Sequence, residues 1–550
     1  MKTHKPLSTS KNDRTGKTLQ NEQAHTGDHK NWSRRDFLTN SGLFAAGASF
    51  MLGSSSLKAF APNGMLKALG ALESDKTLVI VRLKGGNDGL NTIIPRGNEF
   101  YYNIRPTIAI QENELIPLTD EYGLNAAMNG LTSLWDEGEM AVLQSVGYPD
   151  PDYSHFRSSD IWASASDTEE YVTTGWVGRH LDREYPAYNI APPNAPAGLQ
   201  IGVRTNALFR GGDASMALAI SNPTEFYRIA QTGQLYDTSL LPKNCYGQEA
   251  TFMRDIANNS FRYSEAIKEA FDASSTDVNY PEAGELGEQL QIVSRLIKGR
   301  LGTKVYLVDI GGFDTHAEQR LDGYHESLLA DIGNSIRAFT QDLKGEADVW
   351  ENTLIMTISE FGRTVHENGS LGTDHGTAAP QFIFGANTNI SGGIKGEHAN
   401  IDNIPEYGDM EHTTDFRSMY YSVLKDWFCM ENQLADAIMG RNFPLIDDLL
   451  PNCDPPKGSN DTAVLFGHNP NPSKPQQRLI KYAILKKGFV RLQLLDLAGK
   501  PKATLINTTQ AEGSYTFPFY PQEYHLKPGH YIYRLDTGGK TYSRRISLLF

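Results

Sequence analysis

Four stretches of this chain are almost continuously apolar and rich in β-branched residues: Thr77 to Leu83 (TLVIVRL), Met140 to Ser145, Lys304 to Ile310 (KVYLVDI) and Thr353 to Ile358 (TLIMTI). A strand with one wet face alternates polar and apolar residues. A run without alternation predicts a strand covered on both faces, as in a parallel sheet flanked by helices. Gln381 to Phe384 is a shorter run of the same kind. Between these runs the apolar spacing changes to three and four, over Ala127 to Trp135, Phe252 to Ala273, Leu286 to Ile297, Leu321 to Leu343 and Phe416 to Phe428. Strands alternating with helices predict a doubly wound, mostly parallel α/β sheet with right-handed crossovers. Ligands of such sheets collect at the carboxyl ends of the strands.

Three of the long runs empty into loops with the side chains that hold cations. Lys84-Gly85-Gly86-Asn87-Asp88-Gly89 follows the first, and its glycines allow tight turns and close approach to a ligand. Asp88 is placed to coordinate a cation, although Asn-Asp-Gly also makes a plain turn. Gly311-Gly312-Phe313-Asp314-Thr315-His316 follows the third run, where Asp314 and His316 could share one divalent ion. His325 is expected on the helix beyond. Ser359-Glu360-Phe361-Gly362-Arg363 follows the fourth. Glu360 is a candidate ligand or proton carrier, and Arg363 a candidate bidentate partner for an oxyanion; the plainer reading is a surface Glu–Arg pair. Asp374-His375 lies ten residues beyond Arg363 and again sets a carboxylate beside an imidazole. Separate turns rarely all select metal-ligand residues at one end of a sheet, so the recurrence predicts a metal or anion site. After the second run comes Asp152-Tyr153-Ser154-His155-Phe156. Ser154 is a candidate helix cap and, beside a metal, a candidate nucleophile. The plainer alternative is a simple cap with His155 packed or hydrogen-bonded.

The start of the chain differs. Met1 to Asn31 is polar and without hydrophobic periodicity, and reads as disordered. Ser33-Arg34-Arg35-Asp36-Phe37-Leu38 precedes a short apolar run from Gly42 to Gly53, and Ala59-Phe60-Ala61 offers small residues for cleavage. The run is too short for a membrane anchor, and no stretch reaches the roughly 18 apolar residues of a spanning helix. The pattern resembles a twin-arginine signal peptide, which implies export of a folded protein through the twin-arginine translocase. The first 61 residues carry nine Lys/Arg and four Asp/Glu, whereas the whole chain has a formal charge of −14. An acidic body argues against nucleic acid as a partner, because phosphate binding needs basic clusters. The three cysteines (Cys245, Cys429, Cys453) lack C-x-x-C spacing and allow at most one bridge.

Beyond about Leu450 a Pro/Gly/Asn-rich linker leads into an all-β pattern. Val490, Leu492 and Leu494 alternate with Arg491 and Gln493, and Tyr531, Tyr533 and Leu535 with Ile532 and Arg534. This predicts a small β-sandwich. The expected organisation is a signal region at 1–61, an α/β domain at 75–450, a linker at 451–475 and a sandwich at 476–550.

The set GGNDGLN, Ser-His-Phe, GFDTH, SEFGRT and DHG, in that order, resembles an exported bacterial family known as domain of unknown function 1501, over roughly Leu78 to Leu449. That family is similar to the alkaline phosphatase and sulfatase superfamily. The resemblance implies a divalent metal (Zn, Ca, Mg or Mn) held by Asp88, Asp314, His316 and His375, with Ser154 at the nucleophile position; Glu360 and Asp374 are further candidate ligands from their own loops. Glu360 stands where relatives carry Asp-His, which departs from a two-metal pattern. The end of the chain, with LLDLAGK, LKPGHY and RRISLL, resembles a type IX secretion sorting domain. That implies handling by the type IX machinery and a final place at the cell surface or outside. Two functions follow: a metal-dependent hydrolase acting on small phosphate or sulfate esters, or a non-catalytic envelope protein that binds a glycan or a partner.

Overall fold

The structure, a computed structural model, describes residues 76–550 apart from 186–187, 189–191, 213–214, 235, 237–244, 283, 406–407, 454–461, 472–473, 497–498, 528 and 549–550. The expected signal region lies outside the described residues, as does 454–461 of the expected linker.

The uninterrupted apolar runs form the middle of one large sheet. Strand β1 (Thr77–Leu83) lies between β5 (Val305–Ile310) and β6 (Thr353–Ser359), parallel to both, with Val79 level with Tyr306 and Ile355. Outside β5 come β3 (Gly198–Ile201) and β4 (Ala217–Ile220), also parallel. Outside β6 come β7 (Ala379–Phe384), β2 (Met140–Gly147) and the short β8 (Gly393–Lys395). Helices cover the sheet, including Leu286–Lys298 and Tyr324–Lys344, whose apolar faces join its core. Leu78, Val79, Ile80, Leu307, Leu354, Ile355 and Met356 are all fully buried. At roughly 1.5–3 kcal/mol for each such side chain, this core holds the frame on which the loops are mounted.

One strand runs against the rest. β7 is antiparallel to both of its neighbours, with Phe384 opposite Ile355 on β6 and Met140 on β2. It therefore starts at the edge where β1, β2, β5 and β6 end. Residues just before β7 reach the same edge as residues just after the other four.

Two expected helices change their winding along their length. The helix expected over Ala127 to Trp135 is a tight turn at Ala126–Leu131 followed by a short helix at Thr132–Asp136. The one expected over Phe416 to Phe428 is helical through Trp427, an α-helix at Phe416–Ser422 that continues as a wider π-helix at Val423–Trp427. Cys429 and Cys453, 24 residues apart, are joined by a disulfide.

Residues 463–548 form antiparallel sheets of three and four strands. Val490, Leu492, Leu494, Tyr533 and Leu535 point inward against Ile480, Tyr482, Ile484 and Phe519. The inward set is the one the alternation selects. Among the described residues, no helix is long and apolar enough to cross a membrane.

Candidate metal centre

The loops at the carboxyl edge are pinned to each other before any ligand is placed. Gly85 adopts φ +120°, and a Cβ there would lie 2.3 Å from the Asp314 nitrogen, so only glycine lets the first loop touch the third. Gly362–Arg363 pairs antiparallel with His375–Gly376, which brings the loop after β6 against the residues leading into β7.

Arg363 ties these loops together. Its Nε donates to the Gly86 carbonyl at 2.8 Å, and its guanidinium nitrogens donate to the carbonyls of Thr373 at 3.0 Å, Phe313 at 2.9 Å and Gly85. It also donates to Asp314 Oδ1 at 2.7 Å. The residue is buried and its donor fork is committed to protein oxygens. The expected oxyanion-binding role for Arg363 is corrected accordingly: main-chain carbonyls occupy the fork that an anion would need.

Around Asp314 stand three imidazoles. Nε2 of His155, His316 and His375 lie 3.4, 3.1 and 3.3 Å from Asp314 Oδ1. His155, Asp314 and His375 each offer a ligand atom within 4.8 Å of the others. The opposite ring nitrogens are all engaged. His375 Nδ1 is 2.7 Å from the Tyr153 carbonyl, which can only accept, so that nitrogen carries the proton. His316 Nδ1 faces Asp374 Oδ1 at 2.9 Å, and His155 Nδ1 faces Glu360 Oε1 at 3.2 Å. Glu360 Oε1 also accepts the Gly85 N–H at 2.8 Å. Each ring thus donates from Nδ1 to an oxygen and turns an Nε2 lone pair toward one point. An oxygen partner behind each imidazole is the usual support of a histidine that ligates metal. The distances from Asp314 Oδ1 to the three Nε2 atoms, 3.1 to 3.4 Å, match the roughly 3.3 Å that separates ligand atoms on bonds of roughly 2.0–2.1 Å in a tetrahedron.

Electrostatics follow the same plan. Burial opposes the Asp314 charge, but the hydrogen bond and charge of Arg363 outweigh it and hold the carboxyl below its ordinary pKa. Asp374 is also lowered, against its burial, by hydrogen bonds from His316 and Asn368. Burial is the main reason that His375 is lowered, which favours the neutral imidazole a metal requires. The cluster is open to solvent: side-chain exposure is 50% for Asp314, 44% for His316, 32% for His155 and 21% for His375.

The structure brings together five of the expected residues, Asp314, His316, Glu360, Asp374 and His375, with Glu360 and Asp374 standing behind histidines. It does not bring Asp88. That carboxylate is buried against Arg105, with contacts of 3.0 and 2.7 Å to one guanidinium nitrogen, and accepts from Gln319 at 2.6 Å. Burial opposes its charge, Arg105 and His325 favour it, and its pKa is lowered overall. Both Asp88 oxygens are thus committed to a protein cation, which corrects its expected role as a ligand. Ser154 is exposed and caps the helix His155–Ser164, its hydroxyl 3.5 Å from the Arg157 N–H. His155, whose Nε2 faces Asp314 Oδ1, stands beside Ser154, and the signal that marks it is its position after a strand ending at the same edge. His325 is buried on the helix Tyr324–Lys344, 3.2 Å from Asn87, and burial lowers its pKa.

The family model described as a protein of unknown function, DUF1501, matches residues 144–449, more than half of the chain. The chain belongs to the DUF1501 family. All four residues of the cluster lie inside the matched span of this DUF1501 protein, and Asp88 lies outside it. Solved structures similar to it include the PsFucS1 sulfatase from Pseudoalteromonas, 12% identical, covering 84% of this chain and 87% of that one with a TM-score of 0.30. A protein in the alkaline phosphatase superfamily from Vibrio parahaemolyticus is 10% identical, with coverage of 87% and 83% and a TM-score of 0.28. Alkaline phosphatase from the Antarctic bacterium TAB5 is 10% identical, with coverage of 58% and 95% and a TM-score of 0.23. No curated protein matches the sequence.

Proposed function

We propose that this DUF1501 protein is an exported, metal-dependent hydrolase of small phosphate or sulfate esters. Its metal would be held by His155, His316, His375 and Asp314. One observation carries the reading: three imidazoles, each fixed through Nδ1 by an oxygen, aim Nε2 at the same carboxylate oxygen. Three nitrogens and one oxygen suit zinc or a similar borderline ion better than calcium or magnesium, which prefer oxygen. Bound there, such an ion supplies Lewis acidity and lowers the pKa of a coordinated water or hydroxyl.

The remaining roles belong to the chain. Glu360 and Asp374 hold the His155 and His316 rings in the ligating tautomer. Arg363 keeps Asp314 ionised. Ser154, next to His155, holds its hydroxyl by a long capping bond and is the candidate nucleophile. Export through the twin-arginine route and sorting by the type IX machinery complete the reading. Replacing Arg34 and Arg35 together by lysine should then leave the protein in the cytoplasm.

Purification without chelator followed by elemental analysis should give one equivalent of metal. The same protein should hydrolyse an aryl phosphate or aryl sulfate, and His316→Ala should remove both properties. Turnover that survives His316→Ala overturns the assignment. A second reading, a binding protein with a structural metal, is favoured by the committed state of Arg363, which leaves that cation unable to grip an oxyanion. A wild-type protein that retains metal yet turns over neither ester would establish that second reading.

A further inference from the structure

Gln319 sits behind the cluster and hydrogen-bonds to none of the four ligand side chains. It is fully buried, and its amide is used at both ends. The single oxygen Oε1 accepts from the Thr315 hydroxyl at 3.0 Å and from the Thr373 hydroxyl at 2.9 Å. Thr315 lies between Asp314 and His316, and Thr373 immediately precedes Asp374 and His375. One amide oxygen therefore joins the two segments that carry three of the four ligands. They touch elsewhere too: Thr373 N donates to the Thr315 carbonyl at 3.1 Å, and Asn368 donates to the His316 carbonyl at 2.9 Å.

The orientation of that amide is also determined. Its Nε2 donates to Asp88 Oδ2 at 2.6 Å, and Asp88 is kept ionised by Arg105. A buried carboxylate accepts and does not donate, so it selects the Gln319 N–H₂ end and turns the carbonyl toward the two threonines. Arg105 is anchored in turn by the carbonyls of Val365 and Thr364, at 2.7 and 2.8 Å. Every member of the chain from Arg105 through Asp88 and Gln319 to Thr315 and Thr373 is buried. Hydrogen bonds in such a setting are strong when complete and costly when broken.

We propose that Gln319, oriented by Asp88, is the positioning residue of the metal centre. It sets the register between the Asp314–His316 and Asp374–His375 segments and thereby the affinity for metal. The proposal rests on the metal reading above and assigns Asp88 a role one step behind the site. Partners behind the ligands typically change metal affinity by about 10–100-fold when removed.

The test measures cobalt(II) and zinc(II) affinity by chelator competition on the full mature chain. Wild type is compared with Gln319→Leu, Thr315→Val, Thr373→Val and the hydroxyl-retaining Thr373→Ser. Gln319→Leu should weaken binding by about 10–100-fold while the cobalt absorption spectrum keeps the wild-type shape, because no ligand is lost. Thr373→Ser should bind like wild type, and Thr315→Val and Thr373→Val should bind more weakly. Combining either valine with Gln319→Leu should add little further loss. Equal affinity for Gln319→Leu and wild type overturns the proposal, as do fully additive losses. If Gln319→Leu does not fold, the threonine series alone decides, with full affinity in both valine variants overturning it. A wild type that binds neither ion overturns the metal reading and this inference with it.

Discussion

His316 Nε2 and His375 Nε2 stand 2.9 Å apart, and the Nδ1 of each ring is already hydrogen-bonded to an oxygen. Two neutral rings so oriented point lone pairs at each other, a contact that favours a positive charge between them. The same nitrogens lie 3.1 and 3.3 Å from Asp314 Oδ1, and His155 Nε2 lies 3.4 Å from it, so the attraction for a cation is shared by four groups. Replacing any one of His155, His316 and His375 by alanine should lower metal affinity by at least about 100-fold, beyond the range typical of an outer partner. Asp374→Asn, which removes no ligand and alters the group behind His316 that also accepts from Asn368, should keep one metal per chain and lose about 10–100-fold in affinity. Elemental analysis and chelator competition check both, and an Asp374→Asn protein that loses its metal outright would contradict the ranking.

Arg363 makes a different prediction, because its partners are mostly carbonyls. Asp314 is half exposed, so the ion pair itself should contribute no more than about 1 kcal/mol. In Arg363→Lys the carbonyls of Gly85, Gly86 and Thr373 would lose their partner, at about 1 kcal/mol for each one left unsatisfied, whereas the Phe313 carbonyl keeps the Thr315 N–H. Arg363→Lys should therefore lose about 3 kcal/mol of stability in urea unfolding with chelator present. A variant as stable as wild type that bound anionic esters more weakly would restore the oxyanion role.

The sheet and its edge were legible in the sequence because β1, β2, β5 and β6 are buried almost throughout on both faces, with the charges of Arg82 and Asp309 paired to each other across β1 and β5. The direction of β7 was not legible, since a short apolar run reads the same both ways; only pairing with Met140–Gly147 and Thr353–Ser359 settles it. That direction is why His375, which precedes its strand, meets Asp314 and His316, which follow theirs. Asp88 misled for a related reason. Its loop has the composition of a ligand loop, but Arg105, seventeen residues away, supplies the counter-charge, and nothing in local spacing announces a buried pair. His155 was passed over in favour of the adjacent Ser154 because capping is a local signal, whereas ligation depends on three other loops.

The disulfide offers a test of how the end of the α/β unit is held. Cys429 and Cys453 close a loop with a separation of 24 residues, for which chain entropy gives about 3 kcal/mol of stabilisation. Cys429→Ser together with Cys453→Ser should lower stability by about that amount, measured by urea unfolding under non-reducing conditions. The metal affinity of the same variant should be unchanged, because neither cysteine contacts the cluster. Coincident unfolding curves would show that the bridge adds nothing to the fold.

His180 should impose an acid limit on stability. It lies on the helix Trp176–Glu184, buried, with its ring 4.6 Å from that of Phe428 and its Nδ1 without a hydrogen-bond partner among the described residues. Burial pushes its pKa down to about 4 from 6.5. The unfolded chain takes up a proton near pH 6.5, and the folded one not until about pH 4. Between those values the unfolded state binds more protons, so stability falls as pH falls, by about 1.4 kcal/mol per unit. The loss should approach about 3 kcal/mol at the lower end, and the full contribution should be present above the upper one. His180→Leu removes the titrating group and keeps an apolar body against Phe428. Urea unfolding across this range should therefore show wild type losing about 3 kcal/mol more than the variant, the carboxylates common to both cancelling in the comparison. Parallel stability profiles would mean that His180 takes up its proton within the fold at the same pH as in the unfolded chain.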